Sequence, residues 1–468
     1  MSSTSKSGSQ TNLPKQRLMG AAENALIETS RQHQGHMKMG EILHLQGPYL
    51  SLETLTTAVG RLQRRHPFLR SRLQNNPAKL GTYLLEEDDT LHPRILEFSR
   101  KHDDRLTFWR QEWQNREKES ATVGQGLIEF WLLQDPNDRE KESSSKEIAI
   151  ICEHSICDGL SLSTIAHELL LSLSEGDIDM FATPLNCPLT MEDAVRRSYS
   201  TWNRVFTFSK SLVAILRWRV INRRRTARLP LAAVDFPLAD MAKHSYTDSF
   251  YGRLNKQQTK KLMEKCRQES VTVTSAVSTA ILCSASTLVS VDNNQETQLV
   301  LAIAADTRRR CVPPMPNHDL SYQVSGTMAY ALPTNNTPTV PQGMWQLAKV
   351  FGHHVKASVD AGQTLALAMI MGILYQKSLG PPNLAAVPTC GISNWGLLPF
   401  QERYGQWELT EMTPFVNMIR APMPFLAVQT VNGALTIGCF GSVPIIPSTT
   451  LENLCNGTMH ILHQMIEC

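Results

Sequence analysis

The sequence predicts an α/β protein, and three observations carry that reading. Stretches of strand character and stretches with helical apolar spacing mix in both halves of the chain. The 468 residues, 42% of them hydrophobic and 19% charged, suffice for two separate cores. Between the halves the composition breaks, because residues 194–234 hold ten Lys or Arg and no acid. The formal net charge of +3 argues neither for nor against a polyanionic partner.

Taken in order, residues 1–12 are Ser/Thr/Gly-rich and read as a disordered tail. Leu18 to Thr29 has helical though irregular spacing, and Met39 to Leu45 reads as a strand. Ser51 is placed to cap a helix with Leu52, Leu55, Ala58, Val59 and Leu62 on one face, closed by His66-Pro67. Phe68 to Leu73 and Gly81 to Leu85 read as strands. Phe108, Trp109 and Trp113 belong to a helix that packs aromatics into the core. Leu127 to Gln134 is a strand, and the charged stretch Asp135 to Lys146 an exposed hairpin loop. The β-branched run Ile148-Ala149-Ile150-Ile151-Cys152 is a buried strand, and Leu160 to Leu170 is apolar at helical spacing. Ser174 to Pro188 is a loop.

In the basic segment Trp202, Phe206, Leu212, Val213, Leu216 and Val220 alternate with cations as a long amphipathic helix requires. Three readings stay open: a surface helix crossing between domains, weak contact of 201–225 with a membrane surface, or attraction of an anionic carrier. Beyond it, Ser249 to Leu254 is a strand, Lys256 to Gln268 a helix, and Thr274 the cap of a long apolar helix. Thr297 to Ala304 is a buried strand, and Tyr322 to Leu332 a strand pair. Pro341 to Tyr375 is mainly helical, Thr389 to Trp395 a strand. Phe425 to Val431 and Leu435 to Cys439 form a hairpin across Asn432-Gly433, and Leu451 to Ile466 is the last helix.

The ten cysteines lie scattered without Cys-x-x-Cys pairs, several inside apolar runs such as those of Cys152, Cys283 and Cys439. They read as reduced core residues, not as a disulfide framework or zinc site. His353-His354 has no Cys, Asp or Glu at ligand spacing, so no metal is expected. No apolar core follows Met1, and the most apolar run, Leu365 to Leu374, is too short to span a bilayer. A cytoplasmic protein is expected.

The chemistry concentrates in Glu153-His154-Ser155-Ile156-Cys157-Asp158-Gly159, between the buried strand and its helix. A His at the mouth of a buried strand suits a general base, since its ordinary pKa lies near working pH. Gly159 permits a tight turn or a close approach. Asp158 either orients the imidazole or turns away to pair with a buried Arg. The bland alternative is a satisfied loop His beside a turn Asp-Gly. His66, before Pro67 at a helix end, reads as structural.

The motif resembles the active-site signature of the acyltransferase superfamily that includes chloramphenicol acetyltransferase, peptide-synthetase condensation domains, alcohol acyltransferases and the BAHD acyltransferases. Arg65-His66-Pro67-Phe68-Leu69-Arg70 is similar to that family's early helix end. Asp306-Thr307-Arg308-Arg309-Arg310, with Pro313-Pro314-Met315-Pro316 after it, resembles its Asp-x-Arg-x-Arg stretch. Ile392-Ser393-Asn394-Trp395-Gly396 resembles its late Ser-Asn-x-Gly stretch. Order and spacing agree from about Leu13 to the end.

The resemblance implies two similar domains, each a mixed sheet with helices, and an active-site tunnel between them. The boundaries that follow are 13–193 for the first domain, 194–245 for the basic crossover and 246–468 for the second. It implies an enzyme moving an acyl group from a thioester, acyl-coenzyme A or an acyl carrier protein in trans, to a hydroxyl or amine of a small secondary-metabolite acceptor. His154 would be the general base and Asn394 an oxyanion donor, with Ser393 and Trp395 as further substrate or oxyanion candidates. Asp158 would form a structural salt bridge with Arg308 beside Gly159. No permanently bound cofactor and no nucleic-acid partner are expected. Glu153 stands where condensation domains usually have a second His, and the BAHD Asp-Phe-Gly-Trp-Gly stretch has no match; the nearest region is Arg403-Tyr404-Gly405-Gln406-Trp407. Gly-x-Ser-x-Gly is absent, which favours direct transfer over an acyl-enzyme. Two other readings remain: an acid–base step such as cyclisation or dehydration on a polyketide-like chain, and a non-catalytic binding protein.

Overall fold

A computed structural model of the chain describes residues 15–176, 178–222, 224–289 and 296–467, so the tail expected over 1–12 lies outside the described residues. Two large mixed sheets dominate. The first has six strands in the order Arg403–Tyr404, Trp407–Val416, Met39–Gly47, Ser144–Cys152, Ile128–Gln134, Arg94–Ser99. Its last pair is parallel and the rest antiparallel. The motif strand, Ser144–Cys152, is central and covered on both faces. Ile148, Ile150 and Cys152 pack toward the helices Leu52–Arg65 and Gly159–Glu175, while Ala149 and Ile151 meet Trp109, Trp113 and Phe415. Two buried faces explain an apolar run without alternation.

The second sheet follows the path Val324–Gly326, Thr297–Asp306, Cys390–Leu397, Phe425–Val431, Ala434–Val443, Tyr246–Leu254. Tyr330–Pro333 and Arg225–Thr226 also pair with Thr297–Asp306. Helices Val273–Leu288, Pro341–Asp360 and Ser448–Glu467 supply its core with residues such as Ile281, Phe351 and Leu454. A third cluster joins Ile42, Trp131 and Ile151 of the first sheet to Ala427 and Phe440 of the second. The two layers are therefore fused by a shared apolar seam.

Several expectations meet corrections. The range 246–468 does not form one sheet: 403–416 leaves it and completes the first sheet against Met39–Gly47. Sequence reading missed this strand because Pro414 sits inside it. The stretch Phe68 to Leu73 begins as a short 3-10 helix, Pro67–Arg70, because Pro67 presets a helical φ, and becomes strand only at Ser71. Lys146 is not on an exposed loop. It lies in the motif strand, fully buried, and its Nζ donates to the carbonyls of Gly47 (2.7 Å) and Ser144 (2.8 Å). Thr272, not Thr274, caps the long helix by accepting from Ser275 N at 3.1 Å.

Candidate active site

The site is assembled where the motif strand ends. Glu153 N donates to Leu127 O at 3.0 Å, which ends the ladder and starts the turn. Asp158 then caps the following helix, its Oδ1 accepting from Ser161 N at 2.9 Å. Inside that turn His154 is half-buried, and its Nδ1 lies 2.7 Å from the carbonyl of Cys157. A carbonyl only accepts, so Nδ1 carries the proton and Nε2 keeps its lone pair. Burial lowers the imidazole below its ordinary 6.5, against the opposing pull of the Cys157 carbonyl and Asp158, so the ring is neutral at physiological pH. The Tyr322 ring stands edge-on to it at 5.1 Å, and Tyr322 Oη hydrogen-bonds Tyr375 Oη at 2.5 Å.

Asp158 does not hydrogen-bond His154. Arg308 grips it through two bonds, Nη1 to Oδ2 at 2.7 Å and Nη2 to Oδ1 at 3.1 Å, and Gln323 N donates to Oδ2 at 3.0 Å. Arg308 also donates to Asp306 Oδ1, Ser161 Oγ and Ser321 O at 2.9, 2.8 and 2.9 Å. Burial alone would raise the Asp158 carboxyl; Arg308 and the N–H donors outweigh it and hold the group below the usual range. The pair ties the start of the motif helix to the turn Arg308–Arg310 that follows the strand Thr297–Asp306 of the other sheet.

Gly159 has no positive φ, so what it supplies is space. A Cβ there would meet Trp395 Cε2 at 2.3 Å. The indole rests on the glycine at one end of a cavity of about 920 Å³. Asp158, Gly159, Arg308, Ser393, Asn394 and Trp395 all line that cavity, as do the cations Arg309, Arg310, Lys349 and Lys356. His154 is not among the lining residues; the wall reaches the motif only at Asp158–Leu160. Asn394 is partly committed: its Nδ2 donates to Thr274 Oγ1 at 2.9 Å and its Oδ1 accepts from Gly396 N at 2.8 Å. One Nδ2 hydrogen is left for a ligand. Sequence reading missed Tyr322, Tyr375 and the site role of Thr274. The visible signal for Ser161 was its place three residues after a capping Asp. Among the described residues no group of three His, Cys, Asp or Glu is placed to hold a metal ion.

Residues 247–440 match the family described as Phthiocerol/phthiodiolone dimycocerosyl transferase C-terminus. None of the curated proteins compared with the chain matches it. Among solved structures, a trichothecene 15-O-acetyltransferase from Fusarium sporotrichioides superposes with a TM-score of 0.75 at 11% identity, covering 96% of this chain and 95% of that one. Polyketide synthase associated protein 5 from Mycobacterium tuberculosis gives 0.64 at 17% identity, over 95% and 98% of the two chains. The condensation domain of the Monacolin K polyketide synthase gives 0.69 at 10%, over 97% and 98%. Residues 247–440 thus match a transferase family, and over nearly its whole length the chain has the fold seen in this acetyltransferase and this condensation domain.

Proposed function

We propose that this protein is an acyltransferase that carries an acyl group from a thioester, on coenzyme A or a carrier protein, to a hydroxyl or amine of a small secondary-metabolite acceptor. The observation that carries the reading is the imidazole of His154, neutral and held by the Cys157 carbonyl in the tautomer that leaves Nε2 as an acceptor. His154 Nε2 takes the acceptor's proton as its oxygen or nitrogen attacks the thioester carbonyl. The oxyanion formed is met by the remaining amide hydrogen of Asn394, with Ser393 beside it. As the C–S bond breaks, the imidazolium returns its proton to the thiolate. Holding both substrates in one site supplies rate through effective molarity. The cations Arg309 and Arg310 at the cavity wall suit an anionic donor, whereas Lys349 and Lys356 beside them are paired with Glu269 and Asp360.

Incubation with a panel of acyl-coenzyme A donors and small-molecule acceptors, followed by mass spectrometry, tests the reading. The wild type should add an acyl mass and release free thiol. His154→Ala should lose on the order of a hundred- to ten-thousand-fold in rate while folding normally; a folded variant with near-wild-type turnover removes His154 as the base. The same fold occurs in an epimerization domain and in a cyclization–docking bidomain, which keeps an acid–base step without transfer in view. Turnover without thiol release would select that second reading.

A further inference from the structure

The helix Thr201–Ile221 leaves many of its large apolar side chains in solvent. Its inner side rests on the segment Gly362–Ala368: Thr207 lies against Gly362, whose added Cβ would meet Thr207 Cγ2 at 2.7 Å, and Ser211 is buried. Thr207 and Ser211 there are small and polar. The opposite side carries Trp202, Phe206, Leu212, Val213, Leu216 and Val220, which fall within about a third of the helix circumference, and all of them are exposed. Trp202 is 84% exposed and Phe206 62%. A surface helix normally buries such a stripe. Here the stripe runs outward along a helix roughly 30 Å long, far more apolar surface than isolated exposed residues present.

We propose that this helix lies in the headgroup region of an anionic membrane, with the stripe turned into the lipid. Charge selects the occupant. Lys210 and Arg217 flank the stripe and are exposed, and no acid occurs anywhere in 194–234. Lys210 Nζ lies 4.6 Å from the centre of the Phe206 ring, its stem along the apolar side and its cation free to reach upward. A second copy of the helix would bring like charges together, which disfavours self-pairing. An anionic bilayer supplies both an apolar layer and negative headgroups. The cations in mid-helix also fit a helix that lies on the surface, and no single helix among the described residues is long and apolar enough to cross a membrane.

Flotation of the full-length protein with phosphatidylcholine vesicles, with and without phosphatidylserine, tests this. The wild type should float with the anionic vesicles, and added salt should weaken binding. Phe206→Ser/Leu212→Ser/Leu216→Ser should abolish it, and Lys210→Gln/Arg217→Gln should weaken it roughly thirty-fold. These side chains are exposed, so both variants should keep the wild-type thermal transition. Absence of flotation, or a triple variant that floats like the wild type, overturns the proposal. So does light scattering in which the wild type is a dimer and the triple variant a monomer, since the stripe would then be a protein interface. Binding to an acidic carrier protein without flotation overturns it in the same way. His154 is not on this helix, so failure here leaves the acyl-transfer reading standing.

Discussion

Asp158 and Arg308 form a bidentate pair with almost no solvent contact. Removing either partner strands a charge in the interior, which costs roughly 3–5 kcal/mol. Asp158→Ala and Arg308→Ala should each destabilise by about that much, and the double variant by less than the sum. Unfolding free energies in a double-mutant cycle check this, and additive losses would contradict the pairing. Burial also lowers the His154 pKa, so the acid limb of kcat/KM should fall below the ordinary 6.5; a limb at or above that value would mean the imidazole is not the titrating base. Glu41 gives a contrasting case. It is fully buried on the strand Met39–Gly47, neither carboxylate oxygen has a hydrogen-bond partner, and burial pushes its pKa well above 4.5. The folded state therefore keeps a proton that the unfolded state releases above about pH 4.3. Stability contributed by that proton is complete below the unfolded pKa and is lost as pH rises toward the folded one. Relative to wild type, Glu41→Gln should gain about 1.4 kcal/mol per pH unit across that window, seen in denaturant titrations at several pH values. A difference that stays flat with pH would mean the carboxylate is charged and paired.

At the scale of elements, the site depends on one close approach. The strand Cys390–Leu397 brings Trp395 onto Gly159 at the start of the motif helix, with no room for a methyl group. Gly159→Ala should destabilise by about 1–3 kcal/mol and disturb turnover, and Gly159→Ala/Trp395→Leu should recover part of the stability. Thermal unfolding of the single and double variants decides it; no recovery would place the clash elsewhere. The motif strand and helix were legible in the sequence because Ile148 to Cys152 is a fully apolar run and Leu160 to Leu170 is apolar at helical spacing, whereas the capping role of Asp158 was not read. Thr272 and Thr274 both precede the same apolar helix, and sequence alone gives no reason to prefer one as cap. Only the three-dimensional neighbour Asn394 shows why Thr274 is spare. Likewise the pairing of Asp158 with Arg308 was expected from the resemblance, whereas the commitment of the Asn394 side chain to Thr274 and Gly396 joins three separate elements and left no local trace.

Over the whole molecule, the α/β class follows from apolar runs visible in both halves, but the shared seam and the exchange of 403–416 into the first sheet do not. Pro414 weakens its strand signal, and its partner Met39–Gly47 lies more than three hundred residues away. That exchange has a consequence for how the chain comes into being. While the ribosome is still making the second half, Met39–Gly47 is the open border of an unfinished sheet, nine residues long and mostly apolar. At ordinary synthesis rates the covering strand arrives about 20 to 75 s later. Through that interval the nascent protein presents an unpaired edge of the kind that recruits other strands. Translation arrested before residue 403 should leave an aggregation-prone product dependent on chaperones, and the completed chain a soluble one.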